Sequence, residues 1–173
     1  TVSEEAAKYV VTGISGTKTF NLAGLQTSTV VFPNPYMKKK FDSFWFNMDI
    51  HRNNAFSLIA MEAAFNEGEE WLEQLLPYIS ANFDYVVDYL EKNIPQIKTY
   101  APDATYLMWL DCRALGLDDE ALNRFFIDKA KLGLNAGNSF GRSLSGYMRL
   151  NVACPRSVLE QAMQQLEAAV KAL

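Results

Sequence analysis

A chain of 173 residues with 49% apolar side chains and a net charge of −4 has material for one sizeable core or two small units, and it lacks the basic footprint a polyanion partner demands, which argues against nucleic-acid binding. Cys112 and Cys154 form no CxxC and have only His51 as a histidine co-ligand, which argues against a zinc site, any other metal centre and a disulfide framework. No apolar run approaches the roughly 20 residues of a membrane span, and the opening TVSEEAAKYV has no signal-peptide core, so a reduced, cytoplasmic protein without membrane attachment is the expectation.

The β-formers at 9–14 (YVVTGI) predict a strand, with Lys18 just past its C-terminal end, the edge at which open α/β sheets bind ligands. A second strand is expected at 28–32 (STVVF), followed by a helix with Asn34 as N-cap and Pro35 at its first position. Lys38, Lys39 and Lys40 fall on that helix as a solvated face, and the FWF run at 44–46 reads, with His51, as core or interface packing. Residues 55–65 form an apolar helix ended by Gly68. From 69 to about 93 the spacing of Trp71, Leu75, Ile79, Phe83, Val86 and Leu90 describes one long amphipathic helix, which Pro77 should kink.

Beyond Pro95 the pattern becomes a small α/β unit. Residues 105–110 (TYLMWL) form a strand without a polar face, as expected for one covered on both sides. A helix follows over about 118–131, with Leu122, Phe125 and Phe126 inside. Alternation is clean at 146–153 (GYMRLNVA): Met148, Leu150 and Val152 point one way, Tyr147, Arg149 and Asn151 the other. The final helix opens with a capping box from Ser157 to Glu160 and buries Leu159, Met163, Leu166 and Val170. Strand and helix signals alternate throughout, so the fold class is α/β.

Two cations stand out. Taken singly, Lys18 reads as a mobile surface lysine and Arg149 as a solvated or salt-bridged arginine. Together they suggest a chemistry: a desolvated lysine forms a Schiff base, and a planar guanidinium grips a carboxylate through two parallel hydrogen bonds. An amino acid supplies both handles.

The run Ser15-Gly16-Thr17-Lys18-Thr19-Phe20-Asn21-Leu22-Ala23-Gly24-Leu25 resembles the lysine segment of fold type I pyridoxal-phosphate enzymes. More narrowly, it is similar to the cystathionine β-lyase (C-S lyase) branch of the class I/II aminotransferase-like family, which carries S-x-x-K-T-F-N. EGEEWL at 67–72, TYLMWLD at 105–111 and MRLNVACPRS at 148–157 fit the same family in the same order. The resemblance implies that Lys18 holds pyridoxal 5'-phosphate covalently and moves the substrate's α-proton, that Ser15 helps hold the cofactor phosphate, and that Arg149 binds the substrate α-carboxylate. Many aminotransferases have an arginine eight residues after the lysine; Gln26 stands there, which favours the lyase branch.

The resemblance further implies cleavage of cystathionine or another cysteine S-conjugate, a small amino-acid substrate, to thiol, pyruvate and ammonia, with transamination as the alternative. A noncatalytic interaction module is a second alternative. Family enzymes are much longer, so the expectation is a C-terminal fragment: residues 1–68 the remnant of the large cofactor domain, 69–94 a connecting helix and 95–173 the small α/β domain. Such a fragment should be inactive alone, prone to self-association or partial disorder over 1 to about 50, and part of a homodimer at full length.

Overall fold

Two stretches of this chain bury apolar surface very differently, and the computed structural model, which describes residues 3–50 and 52–173, divides accordingly into the units Thr1–Gln74 and Leu75–Leu173. Thr1, Val2 and His51 lie outside the described residues, so the packing role expected of His51 falls there too.

In the first unit a short helix, α1 (Glu4–Ala7), is capped by the Ser3 hydroxyl, which accepts from the Ala6 N–H at 3.1 Å. Strand β1 (Thr12–Ile14) pairs antiparallel with β2 (Thr29–Val31), Gly13 facing Val30. The turn between them carries Lys18. Helix α2 (Pro35–Asn47) starts as expected: the Asn34 side chain accepts from the Tyr36 N–H at 2.9 Å, and Pro35 fills a position whose N–H has no helical partner. Helix α3 (Ser57–Glu67) ends at Gly68, where α4 (Glu69–Asn93) begins.

Only Gly16 and Ser57 are buried among the described residues of this unit. Its densest packing is a satellite cluster in which Phe20 meets Phe65 edge-on at 5.7 Å and Trp71 at 6.0 Å. Gly16 sits beneath it, and a Cβ there would come within 3.0 to 3.2 Å of Phe20, Met61 and Phe65. The FWF run is not core: Phe44 and Phe46 are exposed, and Phe44 and Phe41 instead stack on Trp45 at 5.9 and 5.6 Å. Phe41 also meets Phe32, the residue after β2, at 5.0 Å.

The second unit begins within α4, which stays helical through Pro77 and directs Ile79, Phe83, Val86 and Leu90 inward. Three strands, β3 (Leu107–Asp111), β4 (Asn135–Ala136) and β5 (Tyr147–Asn151), form an antiparallel sheet in the order β3-β5-β4. The sheet thus joins the two strands expected from TYLMWL and GYMRLNVA, with Trp109 opposite Arg149. Met108, Leu110, Met148 and Leu150 form its buried face. Against that face pack α4, α5 (Asp119–Arg124) and α6 (Arg156–Lys171), the last through Leu159, Met163, Leu166 and Ala169.

Five local readings are corrected. The strand at 107–111 is covered on one face only: burial alternates, leaving Leu107, Trp109 and Asp111 half-buried, because an antiparallel three-stranded sheet with helices on one side has a second, open side. The left-handed backbone of Thr105 (φ 72°) ends the run before it can extend as a strand. The helix expected over 118–131 is α-helical only to Arg124 and continues as a π-helical turn, Phe125–Lys129, which keeps both Phe125 and Phe126 buried. Helix α6 lacks the capping box: it starts at Arg156, placing Ser157 inside its first turn, and the Arg156 N–H donates instead to the Tyr78 hydroxyl at 2.7 Å. Near its end Ala169 is buried and Val170 only partly so.

Asn82 fastens α4 to the segment after β5. Its Nδ2 donates to the Val152 and Cys154 carbonyls at 2.8 and 3.1 Å, and its Oδ1 accepts from Arg156 Nε at 2.8 Å. Asp119, in the first turn of α5, accepts from the Gly146 N–H at 2.9 Å and the Ser145 hydroxyl at 3.0 Å. These bonds fix the approach to β5. Gly146 itself adopts φ 78°, and a Cβ there would lie 2.6 Å from Arg113 Cγ.

Among the described residues, no helix is long and apolar enough to cross a membrane.

Candidate functional site

Lys18 occupies an exposed turn four residues past β1, so it stands just beyond a strand end as expected, but that strand belongs to a two-stranded antiparallel sheet and not to an open α/β sheet. Its ammonium makes no hydrogen bond or ion pair with any described residue. The turn is closed by the Phe20 N–H donating to the Gly16 carbonyl at 2.9 Å and the Leu22 N–H to the Thr17 carbonyl at 2.8 Å. Asn21 takes up a left-handed conformation (φ 55°), which lets the chain reverse directly after the lysine.

The Ser15 hydroxyl lies 3.0 Å from the Thr27 carbonyl and 2.8 Å from Thr17 Oγ1. A carbonyl can only accept, so Ser15 donates to Thr27 and receives the Thr17 proton; the Thr17 N–H also donates to Ser15 Oγ at 3.3 Å. Backbone N–H groups of Gly16, Lys18 and Thr19 have no acceptor among the described residues. Three free amides, two hydroxyls that can reorient and one ammonium therefore share a single turn. That donor set fits a phosphorylated aldehyde: amides and hydroxyls for the phosphate oxygens, a primary amine for the carbonyl carbon.

Arg149 belongs to the second unit, on the open face of the sheet. Its Nη2 donates to Asn135 Oδ1 at 3.0 Å, and its guanidinium carbon stands 4.3 Å from the centroid of the Phe140 ring. The Nε is buried and meets no protein acceptor. Burial of an unpaired guanidinium N–H opposes folding by about 1 to 3 kcal/mol, so a purely structural arginine would be expected to have found a carboxylate. Asp111, on the same face, is instead bound by Arg113 at 2.6 Å and by the Tyr147 hydroxyl at 3.3 Å. The Arg113 guanidinium and its hydrogen bonds hold the Asp111 carboxyl below the usual carboxylate range.

Neither cysteine adds a nucleophile. Burial pushes the Cys112 thiol up to about 12, with the Asp111 charge adding to the effect, and raises Cys154 as well, so both stay protonated at neutral pH. Sequence reasoning singled out Lys18, Ser15 and Arg149 as candidates, but not Asn135 and Phe140, the two residues that hold the Arg149 guanidinium. Asn135 opens the two-residue β4 and Phe140 ends the turn after it, and only the register of β4 on β5 brings Asn135 opposite Arg149.

No protein-family model matches the chain. Individual proteins do. The chain is 36% identical over 169 residues to cystathionine β-lyase PatB of Bacillus subtilis, covering 98% of this chain and 44% of that protein. It is 37% identical over 168 residues to cystathionine β-lyase of Corynebacterium glutamicum, covering 95% and 44%. Among solved structures, cystalysin of Treponema denticola, which contains pyridoxal 5'-phosphate, superimposes with a TM-score of 0.94 at 32% identity over 99% of this chain and 43% of that one. A pyridoxal-phosphate-bound protein of Clostridium difficile, described as an aminotransferase, gives 0.93 at 48% identity over 97% and 43%.

The chain belongs to the aminotransferase-like family of fold type I pyridoxal-phosphate enzymes. Within that family its kinship is with the cystathionine β-lyase, or C-S lyase, branch. It spans less than half the length of the relatives it matches.

Proposed function

We propose that these residues form part of a pyridoxal-phosphate-dependent C-S lyase that cleaves cystathionine or a related cysteine S-conjugate to a thiol, pyruvate and ammonia. In that enzyme Lys18 holds the cofactor through its Nζ, while Ser15 and the free amides of its turn bind the cofactor phosphate. Arg149 takes the substrate α-carboxylate. Bound pyridoxal phosphate supplies the electron sink that makes the α-proton removable. Displaced by the substrate's own amine, Lys18 Nζ takes that proton from the α-carbon, and the thiolate leaves from the β-carbon. Arg149 fixes the carboxylate so that the Cα–H bond stays oriented through the step.

One observation carries this reading: the proteins of Bacillus subtilis and Corynebacterium glutamicum that match at 36% and 37% identity over nearly the whole chain are named cystathionine β-lyases. Transamination is the second reading, favoured by the 48% identity to the Clostridium difficile protein; it shares proton removal by Lys18 and carboxylate binding by Arg149. We assign residues 1–68 to the large cofactor domain, 69–94 to a connecting helix and 95–173 to the small domain of a cytoplasmic homodimer. The remaining cofactor contacts come from parts of the family fold that these 173 residues do not span, so the chain alone should not turn over.

The deciding experiment assays pyruvate from cystathionine against amino transfer to an oxo acid, using the chain joined to the rest of the family fold. Lys18→Ala should lower either activity by about a thousandfold or more while leaving the thermal midpoint unchanged. Undiminished activity in Lys18→Ala, or turnover by the 173 residues alone, would refute the assignment. Absence of both activities in the complete protein would favour a noncatalytic interaction module.

A further inference from the structure

Arg149 is the middle of a rung that crosses the open face of the sheet. Trp109 stands directly opposite it on β3 and Asn135 directly opposite on β4, so all three side chains leave the same side. Phe140, from the turn after β4, lies against the guanidinium and packs edge-on to Trp109 at 5.4 Å. The arginine is thus held by a ring and by an amide oxygen 3.0 Å from Nη2. Every other acceptor it could use is missing: no described carboxylate pairs with it, and Asp111 on the same face is committed to Arg113 and Tyr147.

The chemistry of those partners matters more than their number. An amide oxygen and an aromatic face both orient a guanidinium without neutralising it. A carboxylate at the position of Asn135 would orient it equally well, through a stronger charge-assisted bond, and would occupy the charge that a ligand needs. We infer that Asn135 is a positioning residue for Arg149, and that its neutrality is what keeps the guanidinium available to the carboxylate of an amino-acid ligand, with Phe140 as the platform. This rests on the carboxylate role proposed above for Arg149.

The test follows the arginine Nε–H resonances of the isotope-labelled 173-residue chain during titration with acetate, against chloride at constant ionic strength. Arg149→Ala identifies the Arg149 signal by its loss. In the unmodified chain that signal should move with acetate and not with chloride. Asn135→Asp should need about tenfold or more acetate for the same movement, at an unchanged thermal midpoint. Asn135→Gln, which restores a neutral amide, should stay within about threefold of the unmodified chain.

Acetate response in Asn135→Asp equal to that of the unmodified chain would overturn the role of Asn135 and leave that of Arg149 standing. Equal losses in the Asp and Gln variants would also overturn it, since geometry and not charge would then be at issue. A signal in the unmodified chain that acetate moves no more than chloride would overturn the carboxylate role of Arg149, and this inference with it.

Discussion

Seven of the eleven phenylalanines precede residue 75, and none of the seven is buried; of the four that follow, three are. The twenty side chains of the apolar core all lie between Ile79 and Ala169. The first unit therefore has the composition of a folded domain without its interior. Phe44, Phe46, Phe56 and Phe65 face outward, which is how one layer of a larger assembly looks when its covering layer is elsewhere. The proposed site residues divide the opposite way: Lys18 sits in the unit with little core of its own, and Arg149 in the unit that holds the apolar core. Apolar content alone says how much surface wants covering; the pattern of burial says where the cover comes from.

That contrast can be broken most directly by paired truncations. Phe126→Ala, at a site with no exposure, should destabilise the chain by about 3 to 5 kcal/mol in urea unfolding. Phe44→Ala, at a site 59% exposed, should stay within about 0.5 kcal/mol. If both cost the same, Phe44 has a partner in solution and the contrast disappears.

A smaller effect is expected at the Asn82 latch. Asn82→Ala leaves the buried Val152 carbonyl, the partly buried Cys154 carbonyl and Arg156 Nε without their partner, and should cost about 2 to 3 kcal/mol. Hydrogen exchange should report the loss in residues 75–173 while leaving the turn at Lys18 unchanged; equal loosening of both would contradict the division into units.

The smallest effect is a pH dependence confined to the second unit. The Gly146 N–H, aided by the Ser145 hydroxyl, stabilises the charged form of Asp119 and holds its carboxyl below the usual aspartate value of 3.8. A lowered carboxyl contributes stability that is present above its unfolded value and is lost as pH falls through the folded one. The difference in thermal midpoint between the unmodified chain and Asp119→Asn should therefore be constant at neutral pH and close below about 3.8. A gap that persists at lower pH would mean that the Gly146 bond does not depend on the charge.

What the sequence made legible follows from how local each signal is. The alternation at 147–152, the Asn34-Pro35 helix start and the inward stripe of α4 from Ile79 to Leu90 are written in the local sequence, and each is present, while Trp71, read as part of that stripe, is exposed. TYLMWL misled because bulky residues such as Trp109 carry enough apolar surface to suggest a core even when half-buried. The capping box at Ser157 failed because the helix begins two residues earlier than the motif requires. Asn82 and Asn135 had no local pattern at all: their partners lie 70 to 74 residues away in one case and 14 in the other. Strand position and alternation singled out Lys18 and Arg149, but only the resemblance gave them roles, since neither spacing nor periodicity distinguishes them from surface cations.

The hydroxyl of Tyr78 at the start of α6 has a kinetic consequence. The first N–H of that helix finds its acceptor 78 positions earlier in the chain, and Asn82 closes loops nearly as long. Neither bond can form until a long loop has been closed, and loop closure is an entropic toll that nearby contacts do not share. The C-terminal helix should accordingly acquire its protected first turn late in refolding, after the second half of α4 has docked, so that pulse labelling would find the amides of Leu110 and Met148 shielded before that of Arg156.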